Sequence, residues 1–304
     1  MVKKFVCWVW LYFFMGTLYS KQEVLQLKTG NLALPSSQQP APVFAFGQNG
    51  TDQGDLQAFF YFDQDKGDHQ NFIETIPCIL YGITDDLSLF ITSSIFLYHK
   101  LNHKKASLGI QNISPQLEYS IYERKTPTLT DKATIVGNIS FPTRSIPLGQ
   151  LLQQDPANIE SPKNPTTGGN LPSFFLGATV SRTETKWYLW MSPGALLTPK
   201  ATNGTKVGNQ YFVQGGISHN IPSSSKFIFL GGIEIDGIFS DHDKIFGTSD
   251  PNSGGQLIYF GPTFWFSSKQ IILQAGIAAP VYQHLNGIQN KNWYLAAIDF
   301  GIKF

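Results

Sequence analysis

Residues 294–304 constrain the fold more than any other part of the chain. Tyr294, Ala296, Ile298, Phe300, Ile302 and Phe304 alternate with Leu295, Ala297, Asp299, Gly301 and Lys303. Successive side chains of a β-strand point to opposite faces, so the segment reads as a strand with one wholly apolar face. Its other face carries an acid, a base and small residues. That alternation suits a soluble sandwich as well as a membrane wall. An aromatic last residue, with nothing beyond the strand, is unusual in a sandwich.

The same period recurs upstream. Leu87, Leu89, Ile91, Ser93 and Ile95 oppose Ser88, Phe90, Thr92, Ser94 and Phe96; Leu117, Tyr119 and Ile121 oppose Gln116, Glu118, Ser120 and Tyr122. Phe227, Phe229, Gly231, Ile233 and Ile235 oppose Gly232, Glu234 and Asp236, and similar alternation runs through 133–141, 258–266 and 271–281. Weaker segments near 56–63, 71–82, 171–181, 186–193 and 208–218 bring the expectation to about twelve strands, with no long helix.

After the first, the connections alternate in length. Short ones fall near 82–86, 125–130, 182–185, 220–225 and 267–269; long ones fall near 97–106, 142–170, 194–207, 237–255 and 283–290. A sandwich has no reason to gather its long loops at one end. A bacterial outer-membrane barrel does, with short periplasmic turns, long extracellular loops, an even strand number and both termini in the periplasm. The expected fold is therefore all-β: a transmembrane, antiparallel, up-and-down β-barrel of about 12 strands over residues 56–304, in the bacterial outer membrane. Closure also removes the edges on which strands aggregate. Composition agrees. Charged residues make up 14% of the chain, against about 25% in soluble domains, and aromatic residues another 14%. A mean hydropathy of −0.10 is far from that of a helical membrane protein and suits alternate residues facing lipid and a polar interior.

Residues 1–20 read as a signal peptide. Lys3 and Lys4 precede an apolar run from Phe5 to Phe14, and small Gly16 and Ser20 follow, although Leu18 departs from the small residue preferred there. Its removal takes two lysines and no acids from 22 basic and 21 acidic residues, leaving a net charge of −1 and no electrostatic case for nucleic acid. Cys7 leaves with the signal, and a mature chain with Cys78 alone forms no intrachain disulfide. Residues 21–55 are polar, with Pro35, Pro40 and Pro42, and read as an irregular periplasmic segment, a partial plug of the lumen or a disordered leader.

Barrel size bears on function. Eight-stranded barrels are filled by side chains and those of sixteen or more hold an aqueous channel, so about twelve strands suit a narrow channel or ligand-sized cleft. Expected lumen residues include Glu74, Glu118, Glu234, Asp236, Asp299 and Lys303, an acid-rich set that favours cations or neutral solutes, or else braces the wall by pairing. Phe90, Phe96, Tyr122, Tyr188, Trp190, Tyr259 and Trp265 are aromatic positions on the same faces, suited to stacking on ring-shaped solutes or to interfacial girdles. The proline-rich loop 142–170 is either a constriction or a projecting surface element. His69, His99, His103, His219, His242 and His284 all fall in expected loops or turns, none beside a serine on a strand face, so neither an enzyme nor any catalytic residue is expected. No metal or cofactor motif is present. Asp63, Asp65, Gly67 and Asp68 lack the later glutamate of a calcium loop.

Four short segments occur in a telling order: Leu80-Tyr81-Gly82-Ile83-Thr84-Asp85-Asp86-Leu87-Ser88-Leu89, then Asn112-Ile113-Ser114 with Gln116-Leu117-Glu118-Tyr119, then Met191-Ser192-Pro193-Gly194, then Val281-Tyr282-Gln283-His284-Leu285-Asn286-Gly287. In these the chain resembles the outer-membrane transporters grouped around the MetA pathway of phenol degradation. The resemblance implies a single barrel that passes small hydrophobic or aromatic compounds, and it carries over no substrate residues. Outer-membrane barrels also end on a strand that the insertion machinery recognises, which assigns that role to Tyr294, Ile298, Phe300, Ile302 and Phe304. The expected function is a channel or transporter for small solutes. Its partners are outer-membrane lipids, the insertion machinery and the solute, with no nucleic acid, and the chain is expected to be a monomer. The alternative is a structural or adhesive barrel acting through its loops, and, further off, a lipid-modifying enzyme.

Overall fold

The computed structural model describes residues 29–47, 50–68, 70–101, 104–105, 109–143, 171–201, 204–224 and 226–304. The expected signal peptide and most of loop 142–170 lie outside the described residues. Twelve long strands follow one another: β1 Leu56–Gly67, β2 Gln70–Gly82, β3 Leu87–Leu101, β4 Gly109–Lys125, β5 Leu129–Pro142, β6 Ser173–Glu184, β7 Trp187–Leu197, β8 Gln210–Ser224, β9 Phe227–Ser240, β10 Gly255–Ser268, β11 Ile271–Leu285 and β12 Asn292–Lys303. Each pairs antiparallel with its neighbours in the chain, and β1 pairs with β12 from Gln57↔Lys303 to Gly67↔Asn292. The sheet closes on itself, so every strand has two partners and none is left as an edge.

The two-residue period sorts side chains across this wall. In β12, Ile298, Phe300 and Ile302, with Phe304 just after it, are exposed on the outside while Leu295, Ala297, Asp299 and Gly301 are buried inside. β6 repeats the pattern, with Phe174 and Leu176 out and Phe175 and Gly177 in. An exposed belt of Phe, Ile, Leu and Val would be an aggregation surface in water; in a bilayer it is the contact surface. Aromatic residues flank the belt at both ends. Tyr81, Tyr119 and Trp187 lie outward toward the short-turn end, and Tyr211, Tyr282 and Trp293 lie outward toward the long-loop end.

Three expectations need correction. Tyr122 faces out, because a register shift between Ser120 and Tyr122 in the β4–β5 ladder reverses the phase from there on. His99, His219 and His284 sit in strands β3, β8 and β11, since the ladders run on past the apolar belt into polar sequence. The interior is also less polar than alternation suggests. One buried apolar cluster joins Phe59, Tyr61, Ile76, Leu80, Phe90, Tyr188, Trp190, Ile228, Leu230 and Trp265 toward the short-turn end, and a second joins Phe175, Leu196, Phe212, Ile238, Leu257 and Tyr259 toward the long loops. Residues of the N-terminal segment belong to both, which is why the inner wall is apolar there.

Candidate functional site

Residues 29–55 begin and end at the short-turn end. The Asn31 N–H donates to the Thr185 carbonyl in the β6–β7 turn (3.0 Å), and the Gly54 N–H donates to the Gly82 carbonyl at the end of β2 (2.9 Å). Apart from the one-turn 3-10 helices Gly30–Leu32 and Ser36–Gln38, the described part of the segment has no regular structure, and it joins no strand ladder. Yet Leu32, Leu34, Val43, Phe44, Ala45 and Phe46 are all buried. Hydrogen bonds show where. Gln57 of β1 donates to the Ser37 carbonyl (3.2 Å), Ser267 of β10 to the Gln38 carbonyl (2.7 Å), and Thr179 of β6 to the Phe46 carbonyl (3.1 Å). Thr51 meets Ser88 of β3 at 2.9 Å. Only a chain inside the lumen reaches inward residues on such widely separated strands.

The deepest point is Val43–Phe46, level with the middle of the wall. The Glu234 carboxylate on β9 accepts the Val43 N–H at 3.0 Å and the Phe44 N–H at 2.9 Å. The Gln214 side chain on β8 donates to the Phe44 carbonyl (3.2 Å) and to Asp236 (2.7 Å). Thr179 is held in turn by Ser192 at 2.8 Å. Bonds to a charged acceptor in a low-dielectric interior are among the stronger ones, worth about 1.5–3 kcal/mol each. The two phenyl rings occupy places where the wall has no side chains. A Cβ on Gly177 or Gly194, which face each other across the β6–β7 ladder, would lie 2.3 or 2.7 Å from the Phe46 ring. A Cβ on Gly276 of β11 would lie 2.6 Å from the Phe44 ring. Phe175 closes the first niche edge-on, its ring centroid 4.5 Å from that of Phe46.

The expected lumen residues fall into separate groups. Glu234 and Asp236 meet at the Val43–Phe46 site. Glu74 accepts from Ser94 (2.6 Å) and Glu118 from Gln116 (2.9 Å), each within the wall. Asp299 is fully buried opposite Tyr61 in the β1–β12 register. Lys303 does not pair with Asp299; it bonds Asp55 and the Ser37 hydroxyl, both in the N-terminal segment. Trp190, Tyr259 and Trp265 are all buried on the inner face. Tyr294 is half-buried on β12, while Ile298, Phe300, Ile302 and Phe304 face outward. Bracing by ion pairs is seen at Arg182–Asp131, where two bonds of 2.8 and 3.1 Å join β6 to β5.

The fold is that of a bacterial outer-membrane barrel. In shape the chain is similar to the COG4313 outer membrane channel from Pseudomonas putida F1, with a TM-score of 0.65 at 12% identity, covering 87% of this chain and 99% of that one. It is more distantly similar to the NanC porin, with a TM-score of 0.45 at 10% identity over 82% of this chain and 98% of that one. At such identities the likeness concerns the fold alone. No protein-family model matches the sequence, and no curated protein matches it.

Sequence reasoning missed Gln214, Thr179, Ser192 and Ser267, which read as ordinary polar inward positions. It also missed Gly177, Gly194 and Gly276. A signal for these existed, since glycine inside a strand marks a close approach by a ligand or another backbone.

Proposed function

We propose that this chain is an outer-membrane channel for small solutes, including hydrophobic or aromatic ones, with residues 29–55 as a plug lodged in its lumen. The observation that carries the reading is the contrast between a wall closed by continuous ladders and a lumen filled by a segment that shares none of them. Within the lumen side-chain hydrogen bonds hold that segment, and backbone bonds tie it to the wall near its two ends, at Thr185 and Gly82, so its middle can leave while the wall stays intact. The buried aromatic residues Phe90, Tyr188, Trp190, Tyr259 and Trp265 and the resemblance to phenol-pathway transporters support an apolar or aromatic solute. In this reading short turns face the periplasm, long loops face outward, and β12 presents Tyr294, Ile298, Phe300, Ile302 and Phe304 to the insertion machinery.

Single-channel recording in planar bilayers tests it. The refolded chain should show rare or small openings, and the Phe44→Ala/Phe46→Ala variant frequent ones. No openings from either, with the barrel shown folded by circular dichroism, would defeat the channel reading. Exposed Phe246 and Ile288, on loops of the long-loop end, favour surface attachment as the second reading.

A further inference from the structure

We propose that Val43–Phe46 occupies a solute-binding site as a built-in ligand, and that the solute itself is a small aromatic compound bearing an N–H donor, such as an arylalkylammonium ion. This inference rests on the channel reading and adds the site and the chemistry that it selects.

The site has three recognition elements, each satisfied by the chain's own segment. Two are the ring-shaped niches, one floored by Gly177 and Gly194 and closed by Phe175, the other floored by Gly276. Glycine in a strand interior weakens the wall by entropy and lost packing, so three such positions under two rings amount to space reserved for rings. The third is the Glu234 carboxylate, which grips two consecutive backbone N–H groups. A carboxylate in an apolar interior is costly unless donors or a positive charge meet it. With the segment withdrawn, Glu234 would lose these two donors. An aromatic solute with an ammonium or other N–H group replaces the segment's contacts: ring for ring, donor for donor. The Gln214 amide and the Thr179 hydroxyl, which donate to the Phe44 and Phe46 carbonyls, would serve an acceptor on the same solute. An aromatic carboxylate of the same size would instead bring a like charge toward Glu234 and Asp236.

Segment and solute then compete, and the coupling must run both ways. The experiment is calorimetric titration of the full chain, refolded in detergent micelles, with phenethylammonium and with phenylacetate. Phe44→Ala/Phe46→Ala empties the niches without altering the wall, and should bind phenethylammonium at least about tenfold more tightly than the unaltered chain. Adding Glu234→Gln to that variant should weaken binding about tenfold, and phenylacetate should bind poorly to all three. In the unaltered chain, saturating phenethylammonium should speed proteolytic cutting within residues 29–55. Equal affinity of the unaltered and double variant chains, equal affinity for amine and acid, or indifference to Glu234→Gln would each overturn the proposal. Failure here is separable from failure of the channel reading. Binding without conductance removes the channel, whereas conductance without amine-selective binding removes only this site.

Discussion

β12 and the N-terminal segment meet at Lys303, yet opposite means hold them in place. β12 is clamped on both edges by backbone ladders, to β11 on one side and β1 on the other. Its side chains only decide which face is which. The segment has no ladder, so the hydrogen bonds that position it inside the barrel involve side chains, with backbone bonds at its two ends to Thr185 and Gly82. The first arrangement specifies a wall with a repeated rule; the second specifies one seat through a particular set of partners. A strand ladder is insensitive to most single substitutions. A seat built on Glu234, Thr179 and three glycines is not.

The largest expected effect follows from removing the ring that fills the deepest niche. Phe→Ala in a packed core costs about 3–5 kcal/mol. Here Phe46→Ala should act on docking of the segment, not on the barrel. Limited proteolysis of the refolded protein should show residues 29–55 cut at least about a hundredfold faster, with thermal unfolding of the barrel unchanged. If barrel unfolding shifts with it, wall and segment are one cooperative unit and the contrast fails. The complementary change is on the wall. Ile298→Lys puts a charge on the outward face of β12, and near the bilayer midplane such a residue costs about 2–4 kcal/mol. The expected result is impaired refolding into vesicles, with the segment still protected in whatever fraction folds.

A smaller effect sharpens the contrast from inside. Gly177→Ala adds a methyl where a Cβ would sit 2.3 Å from the Phe46 ring, so either the ring or the strand must give. Overpacking of this kind costs about 1–3 kcal/mol. Since the ring is side chain and the strand is laddered on both sides, the ring should move. Proteolytic cutting of residues 29–55 should rise by less than for Phe46→Ala. The same substitution at Gly137, where a Cβ meets nothing within 4 Å, should leave cutting unchanged.

The same division decides what was legible in the sequence. The wall follows a repeated rule, so alternation and the short–long order of connections revealed twelve strands and the faces of Glu234, Asp299 and Ile298. The rule misplaced Tyr122, because one bulge reverses the phase and nothing in Ser120-Ile121-Tyr122 announces it. It misplaced His99, His219 and His284 because ladders do not stop where the apolar pattern stops. The segment has no period to read. Its prolines and glutamines fit a leader, a plug or a disordered tail alike, and Leu32, Val43, Phe44 and Phe46 acquire meaning only beside the inner faces of β6, β8 and β9, which lie far away in the chain.

The mode of attachment seen at Glu234 recurs outside the bilayer, where its strength can be titrated. In the loop after β9, the Asp243 carboxylate accepts the Gly208 N–H at 2.7 Å, and the Asp243 N–H donates to the Ser253 hydroxyl at 2.8 Å. Here the carboxylate works beside backbone bonds: Lys206 and Lys244 exchange two, at 2.9 and 2.8 Å, and the Asp241 N–H donates to the Asn209 carbonyl at 2.8 Å. Burial raises the Asp243 pKa above its ordinary 3.8; the Gly208 N–H pulls the other way without cancelling it. A carboxyl whose folded pKa is raised binds its proton more readily in the native loop than in the unfolded one. The loop therefore gains stability as pH falls through the raised value toward 3.8, and loses that gain as pH rises above it. Hydrogen-exchange protection at Gly208 and Asp243, corrected for the intrinsic pH dependence of exchange, should rise modestly on mild acidification, and Asp243→Asn should abolish the trend. Protection that falls on acidification would mean that the charged bond to Gly208 outweighs burial, and the loop would then be held more firmly by its carboxylate than desolvation allows.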